Sequence, residues 1–127
     1  MARGVDRSDK GFRKLIVWQR AHELVQMVYD ATESFPGHER FGLISQIQRA
    51  AVSVPANIVE GYALDTSAQF SRHLFIARGS LAEVEYYLIL ATDLEYLTQQ
   101  EYDLLEAKRI EVAYLLSRLI TSVKSKR

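Results

Sequence analysis

The segment Gln46–Gly61 constrains the fold most, because it has the pattern of a helix that is apolar on nearly all sides. At about 100° per residue, five of its six polar side chains fall within an arc of roughly 80°. These side chains are Gln46, Arg49, Ser53, Asn57 and Glu60. A surface helix normally has one apolar stripe and a broad polar face. This helix is therefore expected to pack on both sides of its polar stripe.

Apolar residues flank the polar stripe on both sides. One flank consists of Ile47, Ala51, Val54 and Ile58. The other consists of Val52, Ala56 and Val59. One bundle can bury only one flank, so the second flank, Val52–Ala56–Val59, is predicted to lie at or near a contact between subunits.

Pro55 lies inside this pattern. A proline removes a backbone donor and crowds the carbonyl four residues earlier, which costs about 3 kcal/mol in an exposed helix. One alternative is a break, with Ser53 capping a new helix. The apolar phase continues from Ile47 to Ile58, which favours a long, kinked, continuous second helix.

Three further segments have helical periodicity. The face of the first consists of Trp18, Ala21, Val25, Val28, Thr32 and Phe35. The face of the third, extending to about Leu97, consists of Phe70, Leu74, Ala77, Leu81, Val84, Leu88 and Ala91. The seam of the fourth consists of Leu105, Val112, Leu115 and Leu119. Capping-box patterns, Thr66–Gln69 and Thr98–Glu101, precede the third and fourth helices.

Long helices with short connections favour antiparallel neighbours. The sequence therefore predicts an all-α fold, an antiparallel up-down-up-down four-helix bundle over residues 12–123. Residues 1–11 are predicted to be a disordered basic N-terminus and residues 124–127 a basic C-terminal tail. Small residues, namely Gly61 on the second helix and Ala77, Gly79 and Ser80 on the third, predict a close approach of two helices.

Charge is unevenly distributed along a chain whose formal net charge is zero. Residues 1–20 carry a net charge of +4, residues 80–111 carry −6, and residues 118–127 carry +4. This pattern favours contact with a polyanion or head-to-tail self-association, although terminal cations also simply maintain solubility. The nucleic-acid-binding candidates are Arg3, Arg7, Lys10, Arg13, Lys14, Lys124, Lys126 and Arg127.

The residues required for several kinds of chemistry are missing from the sequence. None of the histidines, His22, His38 and His73, follows a Glu by three positions, as a di-metal bundle requires. The chain has no cysteine, which excludes disulfides and fits a cytoplasmic location. We therefore predict no catalytic residue, no metal and no cofactor. No apolar run resembles a secretory signal or a membrane span.

The polar stripe has two interpretations. Its donors and acceptors form one line and suit a small ligand. Alternatively, Arg49 pairs with Glu60, Glu83 or Glu85, while Ser53 and Asn57 satisfy polar groups near the proline. The structural interpretation is favoured.

Five blocks of the sequence resemble a known family. They are Phe12-x-x-Leu15-x-Val17-Trp18, Phe35-Pro36, Phe41-Gly42-Leu43-x-x-Gln46-Ile47-x-Arg49-Ala50-Ala51-Val52-Ser53, Asn57-Ile58-x-Glu60-Gly61 and Ile76-Ala77-x-Gly79-Ser80-Leu81-x-Glu83. The chain thus resembles the four-helix-bundle proteins encoded by intervening sequences of 23S rRNA genes, also called S23 ribosomal proteins.

The resemblance implies a homopentamer, no established enzyme activity, and a distant kinship with accessory proteins of diversity-generating retroelements, which bind nucleic acid. Two functions follow as hypotheses. The first is a non-enzymatic homo-oligomer associated with RNA or a ribonucleoprotein. The second is a self-assembling protein-binding scaffold without a nucleic-acid role. Neither involves a membrane.

Overall fold

The computed structural model describes residues 11–124. In chain order they form a 3-10 helix Gly11–Lys14, α1 Ile16–Thr32, a 3-10 helix Gly37–Glu39, α2 Leu43–Tyr62, α3 Ser67–Asp93 and α4 Gln99–Lys124. This part of the chain contains no strand. The predicted disordered N-terminus, apart from Gly11, and residues 125–127 of the predicted tail lie outside the described residues.

The four helices form a closed ring of neighbours. α1 packs on α2 and α4, and α3 packs on the same two helices, whereas the diagonal pairs have no contact of that kind among the described residues. Only residues 63–66 separate α2 from α3, and residues 94–98 separate α3 from α4. Such short connections make successive helices antiparallel, so the predicted all-α four-helix bundle is confirmed.

α2 runs without a break through Pro55. Pro55 is itself buried, as are the residues of the first apolar flank. Neighbouring helices therefore surround the site of the missing backbone donor, and their packing offsets its cost. The prediction of a continuous helix is confirmed, and the alternative of a break at Ser53 is wrong.

α3 begins at a capping box and ends just before a residue in a left-handed conformation. At its start the Thr66 hydroxyl accepts from the Gln69 amide at 3.1 Å, and the Gln69 side chain accepts from the Thr66 amide at 3.2 Å. Six of the seven predicted face residues are buried, and Phe70 is half-buried. The helix ends at Asp93 rather than near Leu97, because Glu95 takes a left-handed conformation with φ of 65°.

α4 is rotated slightly from its predicted seam. Its buried residues are Leu105, Val112, Leu116, Ile120 and Val123, whereas Leu115 and Leu119 are only half-buried. Ion pairs fix this rotation on both sides of the helix. The Lys108 ammonium lies 2.9 Å from a Glu23 oxygen on α1, and the Arg109 guanidinium lies 3.3 Å from a Glu85 oxygen on α3.

Candidate functional site

The polar stripe of α2 lies along the seam between α2 and α3. Ser53 and Asn57 are half-buried in this seam, whereas Gln46, Arg49 and Glu60 are exposed. The packing of α2 on α3 thus divides the stripe into an inner pair and an outer trio.

The inner pair forms a hydrogen-bonded network with α3. The Ser80 hydroxyl donates to the Ser53 hydroxyl at 2.7 Å. The Asn57 side-chain amide donates to the Ser53 hydroxyl at 3.0 Å and to the Ser53 carbonyl at 2.9 Å. These contacts satisfy polar groups two residues from Pro55, and they link α2 to α3.

His73 extends this network to the surface. Its Nδ1 lies 2.9 Å from the Asn57 Oδ1. Because the Asn57 amide nitrogen faces the Ser53 carbonyl, its oxygen must face the imidazole, and Nδ1 must carry a proton. The Nε2 then faces the Glu60 carboxylate at 3.8 Å. Sequence spacing gave no sign of this contact, since Asn57 and His73 are 16 residues apart.

This geometry does not resemble a nucleophile paired with a base. A hydroxyl nucleophile that is activated by histidine needs the imidazole within hydrogen-bond reach of that hydroxyl. Both ring nitrogens of His73 face other groups, Asn57 and Glu60, and the Ser53 and Ser80 hydroxyls bond to each other. The inner network is suited to holding α2 and α3 in one register.

Arg49 does not make the predicted ion pair. Glu60 lies near His73, and Glu85 pairs with Arg109. Among the described residues Arg49 has no carboxylate within 4.0 Å. It lines a largely polar groove of about 340 Å³ together with Gln46, Glu83 and Tyr87. This groove is the part of the stripe that has the space and the free donors for a small polar ligand.

The close approach of α2 and α3 occurs at Gly61. A Cβ at this position would lie 2.8 Å from the His73 Cβ and 2.9 Å from a Phe70 ring carbon. Ala77 and Ser80 are also buried. Gly79 does not take part in the predicted close packing. It lies on the outer face of α3, where a Cβ would meet nothing within 4 Å.

An exposed apolar surface covers the outer side of α1 and α2. The predicted interface residues lie here or beside it: Val52 is 39% exposed, Ala56 is exposed and Val59 is half-buried. Phe41 and Tyr29 join them, with exposures of 87% and 44%. The sequence analysis missed both aromatic residues, because Phe41 precedes α2 and Tyr29 lies beside the periodic face of α1. We call this surface, defined by Tyr29, Phe41, Ile44, Val52 and Ala56, the α1–α2 face.

Few of the predicted nucleic-acid-binding residues lie in the described part of the chain. Lys14 and Lys124 are exposed and Arg13 is half-buried. The Lys124 ammonium lies over the Phe75 ring, 4.9 Å from its centroid. Arg3, Arg7, Lys10, Lys126 and Arg127 lie outside the described residues.

Two structural features are absent from residues 11–124. No group of three His, Asp or Glu side chains is placed to hold a metal ion. No helix in this range is both long enough and apolar enough to cross a membrane.

The fold and its seam define a small all-α protein in which buried polar groups join two long helices. The family model for the 23S rRNA-intervening sequence protein matches residues 13–118, and the chain belongs to this family. A crystal structure of a protein of unknown function, from the S23 ribosomal protein family of Bacteroides thetaiotaomicron, is similar with a TM-score of 0.75 and 29% identity. The match covers 84% of this chain and 96% of that one. No curated protein matches the chain.

Proposed function

We propose that this protein acts by binding rather than by catalysis, as a cytoplasmic homo-oligomeric module that contacts RNA or a ribonucleoprotein. The observation that carries the proposal is the α1–α2 face, where large apolar side chains meet solvent in a single chain. Contiguous apolar surface of this kind is typical of a protein contact.

The shape of the α1–α2 face supports a second copy as its occupant. Two grooves, of about 670 and 610 Å³, adjoin there and share Tyr29 and Val52 in their linings. Arg40, Arg49 and Asp30 stand among these lining residues, so charged groups accompany the apolar ones as in the rim of an interface. The pentamer number comes from the family resemblance alone.

The proposed RNA contact is supported by basic residues and by the family. Lys14 and Lys124 are exposed at opposite ends of the sequence, and a ring would repeat them in every subunit. Repetition converts weak contacts into appreciable avidity. The kinship with accessory proteins of diversity-generating retroelements is part of the same proposal.

Self-association is tested by light scattering coupled to size-exclusion chromatography at micromolar concentration. We expect a mass several times the 14.5 kDa of one chain. The variant F41E should dissociate the oligomer, because it places an unpaired carboxylate in the contact without disturbing the monomer core. The matched control is L104E on α4, where Leu104 is 62% exposed, and it should keep the wild-type mass. A monomeric wild type would refute the proposal.

A scaffold without a nucleic-acid role is the second candidate. It is favoured by the neutral balance of the chain, with a sequence pI of about 6.8, because strong non-specific RNA binding usually requires a basic domain. Fluorescence anisotropy with RNA at low salt separates the two candidates. The RNA proposal expects salt-sensitive binding. If the wild type is oligomeric but shows no change in anisotropy, the scaffold function is favoured instead.

A further inference from the structure

A cluster of cations surrounds one aromatic ring at the outer junction of α3 and α4. The Arg78 guanidinium carbon and the Lys124 ammonium each lie 4.9 Å from the centroid of the Phe75 ring. Arg72, Phe75 and Ile76 line a groove of about 410 Å³ at the same place. We call Arg72, Phe75, Ile76, Arg78 and Lys124 the cationic groove.

The three cations of this groove lack acidic partners. Within residues 11–124 none of Arg72, Arg78 and Lys124 has a carboxylate within 4.0 Å. All three side chains are exposed. Cations not engaged by carboxylates are available to an anionic partner.

The stretches of α3 and α4 that border the groove carry no negative charge, and the acidic residues Glu60 and Asp65 at this end belong to α2 and to the connection that follows it. The first part of α3, residues 67–82, and the last part of α4, residues 112–124, contain no Asp or Glu. The antiparallel packing brings these two stretches together, as the Arg109–Glu85 pair at 3.3 Å and the Lys124–Phe75 contact both require. The acidic residues of α3 and α4 lie toward the other end, where Lys108 and Arg109 are paired with carboxylates.

We propose that the cationic groove binds single-stranded RNA, with Arg72, Arg78 and Lys124 contacting phosphates and the apolar floor of Phe75 and Ile76 receiving a base. This inference rests on the proposed RNA-binding function and assigns it to the bundle surface, beyond the chain termini. Arg72 and Arg78 are separated by about 9 Å along the helix axis, so they reach different phosphates of one strand. A charged groove beside an aromatic side chain is the usual arrangement for single strands.

The test uses the full chain and a fluorescein-labelled oligouridylate of about 20 nucleotides, with anisotropy measured at several salt concentrations. The double variant R72Q/R78Q removes two cations of the groove. The matched control R20Q/K108Q also removes two cations, which lie between α1 and α4 and are paired with Glu23 and Glu111. We expect the slope of log K against log salt to become shallower by about 1.4 in R72Q/R78Q and to stay unchanged in the control, since each phosphate contact on a single strand contributes roughly 0.7.

Three results would overturn the inference in distinguishable ways. A wild type that does not bind oligouridylate defeats both the groove and the proposed RNA function. Equal binding by wild type and R72Q/R78Q defeats the groove alone and leaves the termini as the contact. Loss of binding to a labelled polyglutamate peptide in R72Q/R78Q, with unchanged RNA binding, assigns the groove to an acidic protein. Thermal unfolding of every variant verifies the fold.

Discussion

Single side chains at the α2–α3 seam decide how closely the two helices pack. Gly61 of α2 packs so closely against His73 and Phe70 of α3 that no space remains for a Cβ. The Ser80–Ser53 and His73–Asn57 hydrogen bonds join the same two helices. The missing side chain of Gly61 therefore permits the spacing that the hydrogen bonds need. Packing and hydrogen bonding at this seam support each other.

Gly61 and Gly79 should respond oppositely to alanine. G61A introduces a Cβ that lies 3.3 Å or less from His73 and Phe70 atoms, and overpacking of this kind costs about 1–3 kcal/mol. G79A introduces a Cβ that meets nothing within 4 Å and should stabilise the exposed helix by about 1 kcal/mol. Urea unfolding followed by circular dichroism measures both. Equal effects of the two substitutions would contradict the close approach at Gly61.

Ser71 and Ser80 form a second contrasting pair on α3. Ser71 is fully buried, and its hydroxyl has no hydrogen-bond partner among the described residues. S71A should therefore be neutral or stabilising by up to about 1 kcal/mol. S80A removes the donor to Ser53 and should cost about 1 kcal/mol. Denaturation midpoints of the two variants test this, and a clear loss of stability in S71A would indicate an unrecognised partner.

The elements are held by their ends as well as by their faces. α2 begins without a hydroxyl cap, and instead the Glu39 carboxylate accepts from the Leu43 amide at 2.9 Å and from the Tyr96 hydroxyl at 2.9 Å. A Cβ on Gly42 would lie 2.6 Å from the Glu39 oxygen that caps the helix. One carboxylate thus joins the start of α2 to the connection between α3 and α4.

The Glu39 cap should make stability depend on pH. The hydrogen bond from the Leu43 amide, followed by that from Tyr96, lowers the pKa of Glu39 below its ordinary value of 4.5. A carboxyl with a lowered pKa contributes stability that is complete above its unfolded pKa and is lost as the pH falls through its folded pKa. E39Q should therefore lower Tm at pH 7, and its difference from the wild type should shrink as the pH falls below 4.5. A difference in Tm that is constant with pH would contradict this role.

Ion pairs of unequal exposure fix the rotation of α4. The Arg109 side chain is 11% exposed and pairs with Glu106 at 2.6 Å and Glu85 at 3.3 Å, whereas the Arg20 side chain is 32% exposed. R109M should cost about 2 kcal/mol because it leaves Glu106, itself only 16% exposed, without its partner. R20M should cost less than about 1 kcal/mol. Chemical unfolding compares the two, and equal costs would show that burial does not govern these pairs.

Helix faces with a clean period were predictable, and contacts between distant residues were not. The α3 face was predicted almost completely, because its apolar residues recur with a single period and Thr66 marks its start. The buried face of α4 was predicted with a small error in rotation about the helix axis. Leucines at 104, 105, 115, 116 and 119 surround the helix, so hydrophobicity alone cannot determine which face is buried. The polar stripe was placed correctly in sequence, yet His73, which completes its network, follows no local pattern.

At the scale of the whole molecule, the α1–α2 face and the cationic groove lie on different sides of the bundle. The α1–α2 face carries the large exposed apolar side chains that we assign to self-association. The cationic groove lies on the α3–α4 side. An oligomer assembled through the α1–α2 face would therefore leave every copy of the groove accessible.

Self-association should make the thermal stability of the protein depend on its concentration. A protein whose folded state oligomerises is stabilised by mass action, so its Tm rises with concentration. We expect the wild-type Tm to increase over a hundredfold range of concentration and the Tm of F41E to stay constant. Differential scanning fluorimetry measures both, with L104E as the variant expected to follow the wild type. A concentration-independent wild-type Tm would argue against assembly in this range.

The separation of acidic and basic ends along α3 and α4 gives an electrically neutral chain a permanent dipole moment. A neutral molecule is not drawn along a uniform field, but a dipolar one is turned by it. Near a polyanion the bundle should rotate so that the basic end leads before any contact forms. Its net charge of zero would then limit long-range capture while orientation still selects the surface that arrives first. Salt shortens the distance over which the polyanion can orient the bundle, to about the Debye length of 10 Å at 0.1 M salt.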